Sequence, residues 1–158
     1  MIIMKFKEKD TEEIVSLFYE TVHSVNLKDY SQKQLDVWAT KEDKASTINS
    51  WQVSLAHNIT FVAKINDKIV GFSDLTDEGY LDRLFVHKDF QGQGIASALV
   101  DMLESEAKKR NLLVIETDSS ITAKSFFAHK GYNIICLQTV ERKGVKLINF
   151  KMRKKLTT

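Results

Sequence analysis

The chain has 158 residues, close to the size of one domain, and 43% of them are hydrophobic and 28% charged, which is typical of a globular protein. The formal net charge of +2 is too small for the basic face of a nucleic-acid-binding protein, and no apolar stretch is long enough to span a bilayer. A single cysteine excludes an internal disulfide, and the N-terminus lacks the pattern of a signal peptide, so we expect a cytoplasmic protein.

The first part of the chain is predicted to contain one strand followed by helices. Asp10 or Thr11 fits a helix N-cap, and the apolar residues that follow recur at helical spacing to about Ser24. Ser31 fits the start of a further helix, which turns Trp38 inward. The predicted elements are a strand at Met1–Lys7, a helix from about Thr11 to Ser24, and helices at Tyr30–Thr40 and Lys44–His57.

The second part of the chain is richer in strands. Asn66-Asp67 separates two β-rich runs as a hairpin turn does, and Gly131 fits the residue that follows a helix. A helix leads from the third of these strands to the next one, and such a βαβ unit makes this part of the sheet parallel. The predicted elements are strands at Thr60–Ile65, Lys68–Leu75 and Gly79–Val86, a helix at Gly94–Arg110, a strand at Leu112–Thr117, a helix at Ile121–Lys130, and strands at Tyr132–Glu141 and Gly144–Met152.

The loop Gln91-Gly-Gln-Gly94-Ile-Ala96 carries the most chemical information. Gly92 and Gly94 have no Cβ, so the backbone can approach a pyrophosphate closely, and the free N–H groups of the first helical turn point at such an anion. A plain strand-to-helix turn would show the same two glycines. The loop lacks the third glycine of a dinucleotide-binding fingerprint and the Gly-Lys-Ser/Thr of a P-loop.

Several segments resemble the GNAT superfamily of acyl-CoA-dependent N-acetyltransferases. Gln91–Ala96 resembles the family's Q/R-x-x-G-x-G/A signature, Leu81–Val86 its fourth strand, and Ser120–Tyr132 its N-x-x-A-x-x-F-Y-x-x-x-G-F motif. Tyr30–Trp38 and the tail Gln138–Phe150 resemble a small-molecule-like bacterial subgroup. The resemblance implies one N-acetyltransferase domain over residues 1–158 with an α/β (mixed α+β) fold. Its central mixed β-sheet would have about seven strands, flanked by helices and splayed between strands four and five.

The resemblance also implies where acetyl-CoA, the acyl donor, binds. The glycine loop is expected to hold the pyrophosphate, and the fourth strand to pair with the pantetheine arm. A backbone N–H at Leu84 or Phe85 is expected to polarise the thioester carbonyl. For Lys124 a solvated helix position is the alternative. The cofactor-binding residues implied in this way are Leu84, Phe85, Val86, Gln91, Gly92, Gln93, Gly94, Ile95, Ala96, Ser97, Ser120, Lys124 and Phe127.

Phe127 departs from the family pattern, because many members have a tyrosine there that protonates the departing CoA thiolate. Phenylalanine has no proton to donate. Either another donor acts, or the thiolate leaves with help from water alone, or the protein is not a catalyst. The expected function is transfer of acetyl to a primary amine by direct attack in a ternary complex. The alternative is a non-catalytic acyl-CoA-binding sensor or scaffold module, and an interaction domain that has lost the cofactor is a weaker third.

The acceptor amine must lose a proton before it attacks, and a carboxylate or a water chain is expected to take it. Asp82 is the first candidate, on the same strand face as Tyr80 by period-two alternation, and Glu116 is the second. Asp118 is a further acidic neighbour, and an acidic cluster would attract a cationic amine. The expected catalytic residues are Asp82 and Glu116. The expected substrate-binding residues are Tyr30, Trp38, Asp74 and Tyr80, although Trp38 is equally typical of a core.

The remaining features receive structural interpretations. The four histidines lack metal-ligand spacing, so no metal is expected. Cys136 lies in an apolar run and is expected to be a buried small hydrophobe. The partner is expected to be a small-molecule or peptide amine, with no nucleic acid and no membrane, and the terminal hairpin suits a sheet that extends across a homodimer.

Overall fold

One seven-stranded β-sheet organises the fold. The computed structural model describes residues 1–157. The strands lie in the order β1-β2-β3-β4-β5-β7-β6, and every neighbouring pair is antiparallel except β4–β5, which is parallel. The strands are β1 Ile2–Lys5, β2 Ile59–Ile65, β3 Lys68–Leu75, β4 Tyr80–Val86, β5 Val114–Ser120, β6 Asn133–Arg142 and β7 Val145–Lys155.

Helices cover both faces of the sheet, so the predicted mixed α/β fold is confirmed. The α-helices are α1 Thr11–Ser24, α2 Gln32–Trp38, α3 Lys44–His57, α4 Ile95–Lys109 and α5 Lys124–His129. Short 3₁₀ helices lie at Glu8–Asp10, Asn26–Lys28, Lys41–Asp43 and Lys88–Phe90. Ser31 starts α2 through a capping box with Gln34. Over residues 1–157, no helix is both long and apolar enough to cross a membrane.

A hydrophobic cluster lies on each face of the sheet. On one face, α4 packs through a stripe of buried residues that includes Ile95, Leu99 and Leu103. A Cβ on Gly71 of β3 would stand 2.9 Å from Ile95 Cγ2, so the close approach of α4 to the sheet requires a glycine there. The other cluster joins α1, α2 and α3 to the opposite face. The sheet thus holds α4 and the three N-terminal helices on opposite sides of β4.

Tight turns fix the register of the two hairpins. Asn66 and Asp67 have φ values of 52° and 64°, the two positive φ angles of a type I′ turn, which confirms the predicted hairpin between β2 and β3. Lys143 and Gly144, with φ of 50° and 78°, do the same between β6 and β7. Arg142 is therefore the last residue of β6 and lies opposite Val145.

Strand β6 forms one edge of the sheet, and the prediction that Cys136 is buried is wrong. Cys136 is exposed. Its neighbours Ile134, Ile135 and Leu137 are 49%, 47% and 58% exposed. The apolar composition of the run indicated burial, but β6 pairs with β7 alone, and edge position follows from topology rather than from local sequence.

Candidate active site

A cavity of about 1130 Å³ opens where β4 and β5 separate. The two strands pair only at Tyr80–Glu116 and Leu81–Thr117. Within residues 1–157, β4 pairs with β3 alone beyond Leu81, so the backbone groups on its open side have no strand partner as far as Val86. The predicted splay between the fourth and fifth strands is therefore confirmed, and it forms a slot that an extended chain can enter and pair with.

A β-bulge in β4 determines which side chains face this cavity. Asp74 of β3 lies opposite Arg83, but the next residue, Leu75, lies opposite Leu81. Asp82 is thus an extra residue in β4 that interrupts the normal alternation. Because of this bulge, consecutive charged residues stand at the point where the two strands part.

The glycine loop lies at the end of the slot and continues into α4. Gly92 and Gly94 have φ of 73° and 80°, and no heavy atom lies within 4 Å of the position that a Cβ would take on either. The Gln91 side chain donates to the Val86 carbonyl oxygen at 2.5 Å, which ties the loop to β4. Gly94 caps α4 without a side-chain hydrogen bond, so the first-turn N–H groups of 95–97 are free to bind an anion.

Most residues predicted to bind the cofactor line this one cavity. Those that line it are Leu84, Phe85, Val86, Gln91, Gly92, Gly94, Ile95, Ala96, Ser97, Ser120 and Phe127. Gln93 and Lys124 do not line it. The Lys124 ammonium instead lies 4.7 Å from the centre of the Phe150 ring, and the Ser120 hydroxyl accepts the Ala123 N–H at 3.1 Å.

Phe127 is almost fully buried, with 2% of its surface exposed, and packs edge-on against Phe126 and Tyr132. It contributes an apolar wall to the cavity. The hydroxyl of the neighbouring Tyr132 does not replace the missing tyrosine, because it donates to buried Glu104 at 2.9 Å. Burial, reinforced by the Glu104 carboxylate, raises the pKa of Tyr132.

The two predicted catalytic carboxylates have different surroundings. Asp82 lines the cavity, its side chain is 36% exposed, and Oδ2 lies 3.4 Å from Arg83 Nη2. Glu116 does not line the cavity. Its Oε2 lies 3.0 Å from Arg153 and 3.8 Å from Lys151 of β7. The Asp82 carboxylate therefore faces the cavity, whereas the Glu116 carboxylate is ion-paired with two cations outside it.

Asp118 is the other acidic residue at the splay. It lines the cavity and accepts hydrogen bonds from Tyr80 Oη and from Gln138 Nε2, both at 2.8 Å. The pKa of Tyr80 is raised, mainly by burial and then by its hydrogen bond to Asp118. Tyr80, predicted to bind substrate, therefore lies on the cavity wall as a hydrogen-bond donor that stays protonated.

Asp74 was predicted to bind substrate, but its side chain is fully buried and outside the cavity lining. Oδ2 accepts hydrogen bonds from Arg83 Nη1 at 2.7 Å and from Asn58 Nδ2 at 3.0 Å. Oδ1 is buried and has no hydrogen-bond partner within residues 1–157. Burial raises the pKa of Asp74 to about 6, and the adjacent Arg83 guanidinium offsets this only in part. Asp74 therefore holds the Arg83 guanidinium from outside the cavity lining.

The aromatic residues predicted on the acceptor side, Tyr30 and Trp38, both line the cavity. Their rings meet edge to face with centroids 5.4 Å apart. Tyr30 Oη donates to the Ile148 carbonyl at 2.8 Å and accepts the Ile121 N–H at 2.9 Å. Tyr30 thus ties the loop after β5 to β7, and burial raises its pKa.

Three cations that line the cavity, Arg83, Arg142 and Lys143, were missed by sequence reasoning. Arg83 donates to Asp74 and Ser54, and its guanidinium stacks 4.4 Å above the Trp51 ring. A charged residue inside an apolar strand was the available signal for it. Arg142 at the end of β6 gave no such signal, because its position depends on the hairpin register. In the part of the chain that the structure describes, no cluster of three His, Cys, Asp or Glu side chains could hold a metal ion.

Comparison with known proteins gives a consistent family. Residues 26–155 match the family described as Acetyltransferase (GNAT) domain. The chain is 32% identical over 154 residues to the uncharacterized N-acetyltransferase YafP of Escherichia coli, covering 97% of this chain and 95% of that protein.

Solved structures agree in fold. A GCN5-related N-acetyltransferase from Rhodopseudomonas palustris superimposes with a TM-score of 0.90 at 29% identity, covering 98% of this chain and 95% of the other. PaiA N-acetyltransferase from Thermoplasma acidophilum, solved in complex with coenzyme A, superimposes with a TM-score of 0.77 at 17% identity and covers 98% of both chains.

Proposed function

Because the chain belongs to the GNAT acetyltransferase family and is an acetyl-CoA-dependent acyltransferase, we propose that it transfers acetyl to a primary amine by direct attack in a ternary complex. The observation that carries the proposal is the shared cavity. It joins a free helix N-terminus behind two open glycines to an unpaired strand edge and to the carboxylate of Asp82. Such a cavity can hold the donor and the acceptor together.

The donor fits the loop and the slot. The N–H groups of 95–97 and the open surfaces of Gly92 and Gly94 suit the pyrophosphate of acetyl-CoA, and the unpaired edge of Leu84–Val86 suits its pantetheine arm. The neighbour from Thermoplasma acidophilum holds coenzyme A in the same fold, which supports this assignment. Ser97 and Ser120 flank the slot from α4 and β5.

The proposed reaction needs one base and one oxyanion donor. Asp82, acting directly or through a water, takes a proton from the acceptor ammonium. The neutral amine nitrogen then attacks the thioester carbonyl carbon, and a backbone N–H at Leu84 or Phe85 stabilises the oxyanion. This attack forms the C–N bond, the nitrogen then loses its second proton to solvent, and collapse of the tetrahedral intermediate restores the carbonyl and breaks the C–S bond. Glu116 is a poorer base because Arg153 and Lys151 already bind its carboxylate.

The CoA thiolate leaves without a protein acid at position 127. Phe127 presents only carbon atoms to the cavity, and Tyr132 behind it is engaged with Glu104. A thiol is a far stronger acid than an alcohol, so the thiolate is an adequate leaving group and can take its proton from solvent.

Calorimetric titration with acetyl-CoA, with free CoA as the comparison, tests the donor site. We expect saturable binding near one molecule per chain. Ala96→Glu sets a negative charge against the pyrophosphate and should abolish binding. Ser105→Glu adds the same charge to the exposed side of the same helix and should not. Equal binding by both variants would show that the donor site is elsewhere.

Turnover is tested by the release of CoA thiol in the presence of primary amines. A catalyst releases thiol in proportion to acetylated amine, whereas a sensor binds acetyl-CoA without amine-dependent release. Resemblance to a small-molecule-like subgroup favours small amines or peptide amines as the first panel. Because acetyl-CoA is an intracellular metabolite, we also place the protein in the cytoplasm.

We further propose that two chains associate through the edge strand β6. Ile134, Ile135 and Leu137 leave apolar surface on both sides of an unpaired strand edge, which is the kind of edge that a second strand covers. Size-exclusion chromatography with light scattering is expected to give the mass of a dimer for the parent protein and the mass of a monomer for Leu137→Glu. Val53→Glu, at another exposed apolar residue (71%), should leave the dimer intact. A monomeric parent protein would refute the proposal.

A further inference from the structure

Six charged side chains line the cavity, and only some of them form ion pairs. They are Asp43, Asp82, Arg83, Asp118, Arg142 and Lys143. Lys143 pairs with Asp43 at 3.0 Å, and Arg83 pairs with Asp74 at 2.7 Å and with Asp82 at 3.4 Å. Asp118 receives neutral donors only, from Tyr80 and Gln138. Across residues 1–157, Arg142, an exposed residue at the end of β6, makes neither an ion pair nor a hydrogen bond through its side chain.

The unpaired cation and the uncompensated anion lie on the same side of the sheet. On β6, residues two apart point to one face, so Gln138, Val140 and Arg142 share a face. Gln138 reaches Asp118, and Val140 packs on the cluster that fills the acceptor side. The two-residue turn after Arg142 fixes this register.

Tyr80 lies in the cavity wall with these groups and donates to Asp118. Burial is the main reason that the pKa of its hydroxyl is raised, followed by Asp118 and Asp82, while the positive charge of Arg142 acts in the opposite direction. One hydroxyl thus senses both acidic residues and Arg142. The acceptor side of the cavity therefore has a negative part at Asp82 and Asp118 and a positive part at Arg142, which lies on the face of β6 that reaches Asp118 through Gln138.

From this arrangement we propose that the acceptor is an amine that also carries a carboxylate, and that Arg142 binds that carboxylate while the amine faces Asp82. The proposal rests on the acetyl-transfer function and specifies its substrate class. A guanidinium presents two parallel donors to a carboxylate, which gives orientation as well as attraction. Tyr30 and Trp38 supply an aromatic surface beside this pair, which suits an amino acid with an apolar side chain.

The test compares acceptors that differ only in the carboxylate. L-phenylalanine and L-leucine are paired with their carboxamides and with the corresponding amines that lack the group, and CoA thiol release gives kcat/KM for each. For the parent protein we expect the amino acids to be preferred over the carboxamides by at least about tenfold. Arg142→Gln should remove most of that preference, a fall of about tenfold, mainly through KM for the amino acid. The ratio of the two preferences cancels the intrinsic difference in amine basicity.

Two further variants test whether the effect is specific to the charge of Arg142. Lys143→Gln removes the adjacent cation, which is already paired with Asp43, and should keep the preference. Arg142→Glu should instead favour diamines, because it places an anion where the carboxylate was bound. Calorimetric titration of L-phenylalanine into the CoA-saturated protein gives a binding readout that does not depend on turnover.

Each outcome distinguishes the two proposals. Equal kcat/KM for amino acids and carboxamides, or a preference that Arg142→Gln leaves unchanged, overturns the carboxylate site while acetyl transfer stands. Turnover of neither set by a protein that binds acetyl-CoA also overturns the substrate class. A folded protein that binds no acetyl-CoA contradicts the proposed function itself.

Discussion

Substitution of Gly94 separates the conformational role of the glycine loop from its proposed role in binding. Gly94 has φ of 80°, and a Cβ there would meet no heavy atom within 4 Å. Gly94→Ala therefore costs only the backbone strain of a left-handed residue, about 1–2 kcal/mol. For a chain of this length that corresponds to a fall in Tm of about 2–8 °C. The same Cβ occupies the surface where the pyrophosphate is proposed to lie.

Gly144 provides the matched control, because its φ is 78° and a Cβ there also meets nothing within 4 Å. Gly144→Ala should lower the Tm by the same amount as Gly94→Ala and leave acetyl-CoA affinity unchanged. Gly94→Asn should recover most of the Tm, since asparagine tolerates the left-handed region. It should still weaken acetyl-CoA binding by at least about tenfold, because it adds bulk at the same surface.

The measurements are thermal unfolding of the free protein and calorimetric titration with acetyl-CoA. If Gly94→Ala bound acetyl-CoA as tightly as Gly144→Ala, the backbone at position 94 would not approach the donor, and the loop would be an ordinary turn. If Gly94→Ala lowered the Tm far more than Gly144→Ala, the added Cβ would have to clash with another atom. That result would contradict the open surroundings of Gly94.

Three further outcomes follow from the site. Asp82→Asn should lower kcat/KM about 100-fold, and Glu116→Gln less than about threefold; the reverse order would exchange their roles. Phe127→Tyr should change kcat by less than about tenfold, because the thiolate leaves unaided; a larger gain would mean that its protonation limits turnover. The raised pKa of Asp74 means that its stabilising contribution is present below its unfolded value, 3.8, and is lost as the pH rises through about 6. The free energy of unfolding of Asp74→Asn, measured with urea, should therefore rise by about 2 kcal/mol relative to that of the parent between pH 4 and 8, and a relative fall would refute the raised pKa.

Short sequence patterns were sufficient to predict the turns and helices whose conformation depends on neighbouring residues in the chain. Asn66-Asp67 predicts a turn because both residues tolerate positive φ, and the structure has them there. The apolar stripe and the preceding glycines predicted α4 and its open N-terminus. These features need no knowledge of which strand lies beside which.

Features that depend on strand pairing were not predictable in this way. Strand β5 runs three residues beyond its predicted end because it pairs with β7 as far as Ser120 and Asn149, and a turn over 121–123 then precedes α5. Cys136 is exposed because β6 lies at an edge. Asp74 is buried because it faces Arg83 across a register shift. Each outcome is decided by a contact between residues that are distant in the sequence.

The bulge at Asp82 connects the donor slot with the acceptor chemistry. An extra residue in β4 increases local twist, and pairing with β5 is lost immediately beyond it. The same residue breaks the alternation, so Arg83 can stack on Trp51 and pair with buried Asp74 while Asp82 stays beside the cavity. Arg83 is thereby neutralised within the wall, and the charge available to a substrate is that of Asp118 and the partly paired Asp82 on one side and Arg142 on the other. One inserted residue thus accompanies the open strand edge proposed for the donor and keeps Asp82 among the charges that line the proposed acceptor site.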